Sequence, residues 1–374
     1  MTKTISLYDD TKIHTKKITE LIDTKLYKKL LYYKNKIDKL NYQHDWDTAK
    51  KIGNDYELIY LPNKKNKTNS IASYQPLSRS YFKLWEMIYD FNLLNNDYNH
   101  NILCMAEGPG GFIEAITNYR KLKISIEPDT IIGITLKSIN KEIPGWKKSS
   151  IFLKNNKNIK ITYGSDNTGN LYNIENILYL KNKYKKMDFI TADGGFDFSN
   201  DFNKQEELGY KIIFCEIVTA LCTQKKGGSF ICKIFDSYTP LTIKFLYLLN
   251  NYYETVYITK PYTSRPANSE KYIVCLNFKQ IEESILNLLL DIVKKWDHLE
   301  PENILNFIDL PYRFVKKITI FNNVLTERQI NNIEKTLVLI NDPENITVIH
   351  NQIECAKTWC AKYNIKINKF SMYL

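Results

Sequence analysis

A glycine-rich turn that opens with a carboxylate is the first place where the sequence could do chemistry. The stretch NILCMAEGPGGFIEAI, residues 101–116, joins a short apolar run to this turn. A turn between a predicted strand and a predicted helix can hold an anionic group, because backbone N–H groups and the positive helix end converge there. The stretch has neither the GK[ST] of a Walker motif nor the full GxGxxG spacing of a dinucleotide fold. The candidate cofactor-binding residues are Glu107, Gly108, Pro109, Gly110, Gly111 and Phe112.

The carboxylate of Glu107 restricts the ligand that this turn could bind. It would repel a pyrophosphate, whereas it would suit a ligand whose recognised part is cationic or rich in hydroxyl groups. S-adenosylmethionine (SAM) fits this description, because its α-amino group and sulfonium are positive and it carries no phosphate. A purely structural strand-to-helix turn is the alternative interpretation.

Two aspartates that follow predicted strands are further candidates for cofactor contacts. Asp166 lies just past the predicted third strand, in ITYGSDNTGN. An aspartate there can accept a hydrogen bond from an adenine amino group, although any turn uses the same residue types. Asp193 ends the fourth run, in FITADGGFD. The two glycines after it allow a ligand to approach the backbone closely.

Four ionisable residues at or near the ends of separate elements form the candidate catalytic group. They are Lys83 in SRSYFKLWEM, Asp193 in TADGG, Lys233 in FICKIF and Glu270 in SRPANSEKYIV. Four unrelated surface charges are the alternative interpretation. Lys233 is the exception, because it stands inside an apolar run, where burying an unpaired ammonium is costly. It therefore requires a carboxylate partner or a functional reason.

The segments around these four residues resemble the Lys-Asp-Lys-Glu tetrad of FtsJ/RrmJ-type RNA 2'-O-methyltransferases. The flanking words AEGPGGF, TADGGFDFSNDFNKQEEL and ITKPYTSRPANSEKYIVC resemble more closely the cap-specific mRNA methyltransferases of eukaryotes and of large cytoplasmic DNA viruses. The resemblance covers roughly residues 75 to 280, in order, with every tetrad position filled. It implies a Rossmann-like, mostly parallel sheet of seven strands, SAM as the cofactor, the capped 5' end of mRNA as the partner, and no metal ion.

The resemblance also implies a reaction, the transfer of a methyl group from SAM to the ribose 2'-hydroxyl of the first transcribed nucleotide (cap 0 to cap 1). The ordinary lysine pKa of about 10.4 leaves little free amine at neutral pH. We expect burial and the neighbouring Lys83 to lower the pKa of Lys233 to roughly 7 to 8, so that Lys233 is the general base. We expect Asp193 and Glu270 to orient the lysines and balance their charge, and Lys83 with Glu270 to position the ribose.

Basic residues outside the tetrad are candidates for RNA contacts. Arg79 and Arg265 flank tetrad segments and are predicted to contact RNA, with loop salt bridges as the alternative. The basic loop from Lys64 to Lys67, together with Lys225 and Lys226, could follow phosphates. The nearest alternative function is a ribosomal or transfer RNA 2'-O-methyltransferase. An alternative of another class is a SAM-fold RNA-binding subunit without catalysis.

The elements that must position these residues can be read from the spacing of apolar residues. Short β-rich runs alternate with helix-length segments between Tyr81 and about Phe278, which predicts an α/β fold with a largely parallel sheet. In such folds ligands lie beyond the carboxyl ends of the strands. Helical spacing recurs from Lys16 to about Leu40 and again after Lys279. We predict an N-terminal helical and basic extension (1–75), a methyltransferase domain (76–280) and a C-terminal helical extension (281–374).

Composition bounds the class of partner and the compartment. The chain has 374 residues, of which 52 are basic and 41 acidic, and its net charge of +11 favours nucleic acid, with a solvated lysine-rich surface as the alternative. Seven cysteines without CxxC spacing indicate reduced thiols, and no apolar run reaches the roughly 18 to 20 residues of a membrane span. We expect a cytoplasmic protein, in a host cytoplasm, viral factory or particle if the source is viral. Capping or transcription proteins are candidate further partners.

Overall fold

The computed structural model describes residues 3–7, 21–40, 43–61, 69–123, 128–137, 143–195, 202–340 and 346–374. The strands within these residues are β1 (Thr4–Ser6), β2 (Asn101–Met105), β3 (Thr130–Ile134), β4 (Ile159–Thr162), β5 (Met187–Ala192), β6 (Gln224–Ile234), β7 (Tyr253–Thr259) and β8 (Lys271–Phe278). They form one eight-stranded sheet in the order β1-β7-β8-β6-β5-β2-β3-β4.

The sheet is parallel from β4 through to β6 and antiparallel at its other edge. β2 pairs in parallel with β3 and β5, β3 with β4, and β5 with β6. β8 lies antiparallel between β6 and β7. The predicted Rossmann-like, mostly parallel sheet is therefore confirmed.

The eighth strand, β1, comes from the segment that the sequence predicts as a helical extension. It adds antiparallel to β7, with Thr4 opposite Thr259. The predicted helical and basic N-terminal extension thus also contributes a short strand to the sheet. A strand of three residues is too short to show an alternating pattern, so its sequence gave no signal.

The central strands are buried on both faces of the sheet. In β2, the residues from Ile102 to Met105 are fully buried. Parallel strands that are covered by helices on both sides read as continuous apolar runs, as NILCM does. These buried strands give the residues at their carboxyl ends a rigid support.

The helices lie on both sides of the sheet and at both ends of the chain. The first of them, α1, begins after Asp23, whose side chain accepts a hydrogen bond from the backbone N–H of Leu26 at 2.8 Å. The part of the predicted helix before residue 21 lies outside the described residues. The helices are α1 (Thr24–Asp38), α2 (Gln43–Ile52), α3 (Ser80–Asp90), α4 (Gly111–Arg120), α5 (Ser150–Asn155), α6 (Ile174–Lys183), α7 (Gln205–Thr223), α8 (Pro240–Tyr252), α9 (Glu283–Lys295), α10 (Tyr312–Leu339) and α11 (Ile346–Lys362). Short 3-10 turns cover Glu57–Ile59, Trp146–Ser149, Phe202–Lys204, Trp296–His298 and Pro301–Asn303.

The segments before and after the predicted methyltransferase domain pack on each other. Helices α1 and α2 both contact α10. Leu30 and Trp46 from the first two helices form an apolar cluster with Ile330 and Ile333 of α10. The two extensions therefore bury apolar surface jointly, which the sequence did not predict.

A buried carboxylate on α3 ties both chain ends to the loop between β7 and β8. We call this loop, residues 260–270, the β7–β8 connection. Glu86 is fully buried and accepts from the backbone N–H of Tyr262 at 2.7 Å and from the indole N–H of Trp359 at 3.1 Å. It also pairs with the ammonium of Lys3. Because Glu86 lies three residues after Lys83, this network lies next to the candidate catalytic group.

Across the described ranges, every helix is either too short or too polar to cross a bilayer.

Candidate active site

The structure brings Lys83, Asp193, Lys233 and Glu270 together at the carboxyl ends of the central strands. Asp193 follows β5 directly and Lys233 lies near the end of β6, which is the parallel neighbour of β5. Because β8 runs antiparallel to β6, its first residue pairs with Ile234, and Glu270 comes immediately before it. Lys83 projects from the first turns of α3.

Two ion pairs link these four residues. The ammonium of Lys83 lies 2.8 and 2.7 Å from the two carboxylate oxygens of Glu270. The ammonium of Lys233 donates to the backbone oxygen of Asp193 at 2.8 Å and lies 3.4 Å from its carboxylate. The carboxylate partner that burial of Lys233 required is therefore present.

Each carboxylate also has a hydroxyl donor that the sequence analysis missed. The hydroxyl of Tyr272 donates to Asp193 at 2.9 Å. The hydroxyl of Ser264 donates to Glu270 at 2.8 Å. Tyr272 lies directly opposite Lys233 in the β6–β8 register, a proximity that only the pairing of the strands reveals.

The electrostatic environment of Lys233 contradicts the predicted fall in its pKa. Burial lowers the pKa of Lys233, but the carboxylates of Asp193, Glu270 and Glu216 outweigh burial and raise it above the ordinary value. The expected lowering omitted Glu216 and gave too little weight to the two tetrad carboxylates. Before any substrate binds, Lys233 is therefore held as an ammonium.

Glu216 is a third carboxylate group at this site. It lies on α7, is fully buried and accepts from the backbone N–H of Gly194 at 3.0 Å. Burial raises the pKa of Glu216 to about 8, although the nearby Lys233 acts in the opposite direction. A lone glutamate in the apolar run IIFCEIVTAL was the signal that could have revealed it.

A cavity of about 720 Å³ opens beside the tetrad. This volume lies within the range of about 300 to 1,000 Å³ that is usual for small-molecule and cofactor sites. Asp193, Lys233 and Glu270 form one end of it, and residues that follow β2, β3 and β4 form the rest. The other lining residues are Ala106, Gly108, Thr135, Leu136, Ile143, Pro144, Gly169, Asn170, Leu171, Tyr172, Gly194, Gly195, Ile212 and Phe235.

Gly108 is the residue of the glycine-rich turn that lines the cavity. A Cβ atom on Gly108 would lie 2.2 Å from the backbone oxygen of Pro144, so no larger residue fits there without movement. Gly110 has a φ of +105° and caps α4, a conformation that favours glycine. A Cβ on Gly111 would lie 2.2 Å from the hydroxyl oxygens of Ser78 and Ser80, so this glycine allows α4 to pack against the start of α3.

Glu107 holds the start of α4 and does not belong to the described lining of the cavity. One carboxylate oxygen accepts from the backbone N–H groups of Phe112 at 2.6 Å and Ile113 at 3.2 Å. Burial, with a contribution from Asp193, raises the pKa of Glu107 well above its ordinary value. Its other oxygen is buried and has no hydrogen-bond partner among the described residues. The contacts of Glu107 and the burial of Phe112 therefore agree with the alternative interpretation, a purely structural strand-to-helix turn. Pro109 is also outside the described lining of the cavity.

Asp166 is absent from the described lining of the cavity, so its predicted contact with adenine stays a prediction. Its carboxylate accepts from the hydroxyl of Thr168 at 2.7 Å and from the side-chain amides of Asn173 and Asn176 at 2.7 and 2.9 Å. These bonds close an exposed turn. The same loop approaches the cavity four residues later, at Asn170.

Arg79 and Arg265 form the loop salt bridges that the sequence left as the alternative to RNA contacts. Both bind Glu57, a buried carboxylate from the N-terminal segment: Arg265 at 2.7 and 3.1 Å and Arg79 at 3.4 Å. Arg79 also donates to the backbone oxygens of Tyr56 and Thr263. Protein acceptors thus already bind these guanidinium groups, and the RNA contacts of the two arginines stay predictions.

Replacing Glu57 with alanine should lower the free energy of unfolding by about 3 to 5 kcal/mol, because two buried guanidinium groups lose their counterion. Burial raises the pKa of Glu57, but Arg265 and Arg79 outweigh burial and hold it below the ordinary value. The stabilisation is therefore present above the unfolded-state pKa and is lost as pH falls through the folded-state pKa. Urea unfolding at several pH values measures both effects.

Asp55→Ala is the matched control for this variant. Asp55 pairs with Lys335 at 3.3 Å, and both side chains are more than 40% exposed (42% and 43%). An exposed ion pair contributes at most about 1 kcal/mol. Equal losses in the two variants would contradict the role assigned to Glu57.

The remaining predicted RNA contacts lie away from the tetrad or outside the described residues. Lys225 and Lys226 lie at the start of β6, at the opposite end of this strand from Lys233. Lys225 pairs with Asp188 at 2.7 Å. The loop from Lys64 to Lys67 lies outside the described residues. Over the described ranges, no group of three or more His, Cys, Asp or Glu side chains is arranged to hold a metal ion.

Comparison with known proteins gives sequence matches to methyltransferases. The family described as FtsJ-like methyltransferase matches residues 76–278. The chain is 31% identical over 273 residues to cap-specific mRNA (nucleoside-2'-O-)-methyltransferase 1 of Drosophila melanogaster, covering 68% of this chain and 33% of the relative. It is 37% identical over 187 residues to the protein of the same name in Dictyostelium discoideum, covering 46% and 25%. The chain thus spans a third or less of the length of these relatives.

Among solved structures, a putative ribosomal RNA methyltransferase from Plasmodium falciparum is similar over 55% of this chain and 99% of that chain. The identity is 23% and the TM-score is 0.39. The family match confirms the predicted resemblance and the class of cofactor, SAM. Because this match extends over more than half of the chain and includes the glycine-rich turn and the whole tetrad, the chain belongs to the FtsJ-like methyltransferase family.

Proposed function

We propose that this protein transfers the methyl group of SAM to the ribose 2'-hydroxyl of the first transcribed nucleotide of capped mRNA, converting cap 0 to cap 1. The observation that carries the proposal is that three members of the tetrad, Asp193, Lys233 and Glu270, lie at one end of a cofactor-sized cavity, while the fourth, Lys83, pairs with Glu270. The sequence similarity to cap-specific mRNA methyltransferases supports this choice of RNA. The complete tetrad also argues against the alternative of a non-catalytic subunit.

The cavity fits SAM in both shape and chemistry. Gly108 leaves the space that a side chain would fill at the glycine-rich turn, and Gly195 leaves similar space beside Lys233, whose ammonium lies 3.0 Å from the position of a Cβ on that glycine. The carboxylate of Asp193 faces the cavity and suits a positively charged ligand. When bound, SAM supplies a methyl group that is activated by the positive sulfonium.

Lys233 is the residue that would take the proton of the 2'-hydroxyl. A general base must lie within hydrogen-bond reach of the proton it removes, and Lys233 faces the cavity from its rigid position on β6. Its raised pKa means that it must lose a proton before it can act. A positive charge brought into the cavity would favour that loss. Lys83 and Glu270, held as an ion pair, would position the ribose.

A second cavity supports a substrate larger than a nucleoside. It has a volume of about 300 Å³ and shares Glu270 and Phe235 with the first cavity. Its lining includes Lys34, Trp46 and Lys50 from the N-terminal segment. Ammonium and aromatic side chains are the groups that contact phosphates and bases of RNA.

We also propose a cytoplasmic location, which is supported by seven free cysteines.

The test is to incubate the purified protein with methyl-labelled SAM and short RNAs that end in m7GpppA, GpppA or pppA. We expect label in 2'-O-methyladenosine next to the cap. Label at an internal ribose, or equal transfer to the pppA RNA, would overturn the proposed cap specificity and favour a ribosomal or transfer RNA substrate. Absence of transfer to every RNA, with SAM still bound, would overturn catalysis by this chain alone.

Replacing Gly108 with alanine should weaken SAM binding at least about 10-fold, because the added methyl group must displace the backbone at Pro144. Isothermal titration calorimetry measures the affinity, and the melting temperature shows whether the variant is folded. Gly227→Ala is the control for general effects, since a Cβ there meets no atom within 4 Å, although its φ of +80° carries a local cost. Unchanged SAM affinity in folded Gly108→Ala would argue against this cavity as the cofactor site.

A further inference from the structure

Lys260 is the first residue of the β7–β8 connection. It is not a member of the tetrad, and the proposed reaction assigns it no role. Its ammonium lies 2.7 Å from the backbone oxygen of Asn268 and 2.8 Å from that of Glu270. It also lies 3.4 Å from the hydroxyl oxygen of Ser264. All three acceptors are uncharged oxygens, and all three belong to the connection that carries Glu270. The ammonium therefore joins the beginning of this connection to its end.

A chain of hydrogen bonds runs from Lys260 to the tetrad. The Ser264 hydroxyl donates to one oxygen of Glu270 at 2.8 Å, and the carboxylate of Glu270 binds Lys83. An ammonium has three donors and no acceptor. While Lys260 is charged, the Ser264 oxygen can only accept from it, and the Ser264 proton is left to point at Glu270. The charge on Lys260 thus sets the direction of the whole chain.

The groups that face Lys260 come from several elements. They are Glu270 on the same connection, Lys271 on β8, Lys83 on α3 and Asp236 after β6. Removal from water lowers the pKa of Lys260 to about 7, and Lys271 and Lys83 add to this lowering, whereas Glu270 and Asp236 oppose it. The neutral amine would have a lone pair, and this lone pair would compete with Glu270 for the Ser264 proton.

We propose that Lys260 is a positioning residue of the active site: it orients the Ser264 hydroxyl towards Glu270 and thereby fixes the carboxylate that holds Lys83. The inference rests on the proposed function in so far as Glu270 and Lys83 hold the ribose. Lys260 and Ser264 are both absent from the described lining of the SAM cavity. Their effect is therefore on turnover and not on the binding of the cofactor.

The kinetic test uses Lys260→Met, Ser264→Ala and the double variant. Each single change should lower kcat about 10-fold, the loss expected when one hydrogen bond to a charged group is removed. The affinity for SAM should stay the same. Because both changes break one chain, the double variant should be no slower than the slower single variant. Multiplied losses in the double variant, or unchanged kcat in either single variant, would overturn the proposal.

Thr259→Val is the matched control, since Thr259 directly precedes Lys260 and is the last residue of β7. Its side chain is buried and its hydroxyl pairs with that of Thr4 at 2.8 Å. A purely structural role for this edge would lower kcat in the control as well. We expect the control to keep the kcat of the unmodified protein.

A second readout does not depend on activity. In protein with 13C-labelled lysine, NMR should show one side chain that titrates near neutral pH and is missing in Lys260→Met. In Ser264→Ala the midpoint should fall, because the ammonium loses an acceptor that favours its charged form. A midpoint that does not move would overturn the link between the two residues. If the unmodified protein methylates no RNA, the proposed function fails while this titration still decides on Lys260 and Ser264.

Discussion

Replacing Lys233 with alanine should reduce the rate of methyl transfer by about 100- to 10,000-fold, the range expected when proton transfer to a positioned base is lost. Lys233 lies 2.8 Å from the backbone oxygen of Asp193 and faces the cavity from the buried strand β6. A water molecule in the space left by the side chain would be a much weaker base at neutral pH. Single-turnover transfer to capped RNA measures the loss, and calorimetry with SAM shows whether the cofactor still binds.

Lys225→Ala is the control for the removal of a lysine from the same strand. Lys225 lies at the opposite end of β6 and pairs with Asp188 at the surface. We expect it to keep normal turnover. Near-normal turnover in Lys233→Ala with intact SAM binding would show that another group removes the proton.

The pH profile of the unmodified protein should report the same residue. Because neighbouring carboxylates raise the pKa of Lys233, its reactive amine form is scarce at neutral pH and becomes more abundant as pH rises. We expect kcat/KM to rise about 10-fold for each pH unit between about pH 5 and about pH 7, the range in which Lys260 keeps its charge. A flat profile over this range would exclude Lys233 in its raised state as the base.

Replacing Glu270 with glutamine should lower kcat about 100-fold or more. The amide keeps the shape of the side chain but removes the charge that holds Lys83 at 2.7 to 2.8 Å, and an unpaired buried ammonium costs roughly 3 to 5 kcal/mol. Lys83 would then leave the position from which it is proposed to hold the ribose. Steady-state kinetics with capped RNA, together with the melting temperature, separate the catalytic loss from the loss of stability.

A double variant sharpens this prediction. In Lys83→Met combined with Glu270→Gln, neither buried charge is left without a partner, so stability should recover relative to Glu270→Gln while kcat stays low. Glu254→Gln is the control. Glu254 is exposed and accepts a hydrogen bond from the side-chain amide of Asn277, which lies near the end of β8 that is remote from Glu270. Recovery of kcat with stability would assign Glu270 a purely structural role.

The sequence was sufficient to predict the tetrad because each of its members stands in its own recognisable segment. The strand pattern then placed Asp193 and Lys233 at the carboxyl ends of their strands, and Glu270 joins them because β8 runs antiparallel to β6. The alternation of apolar runs and helix-length segments likewise predicted the parallel part of the sheet. These features depend on local pattern and strand order alone.

Features that depend on long-range pairing could not be predicted. Arg79 and Arg265 differ from RNA-binding arginines only because Glu57 comes to lie between them, and Glu57 belongs to a segment that the sequence placed in an extension. The pKa of Lys233 was predicted in the wrong direction because the carboxylates of Asp193 and Glu270, together with Glu216 from α7, outweigh burial. Asp166 closes a turn with its own carboxylate, the structural use that any turn makes of this residue type.

The contacts of Glu86 show that the residues needed for the fold extend beyond the part of the chain that contains the reacting residues. Glu86 lies within the family match, but two of its partners, Lys3 and Trp359, lie near opposite ends of the chain and outside that match. A fragment cut at residues 76 and 278 would keep every reacting side chain. It would also uncover Phe82, against which Trp359 packs, and would lose Glu57. The boundary of the catalytic family is therefore narrower than the boundary of the cooperative folding unit.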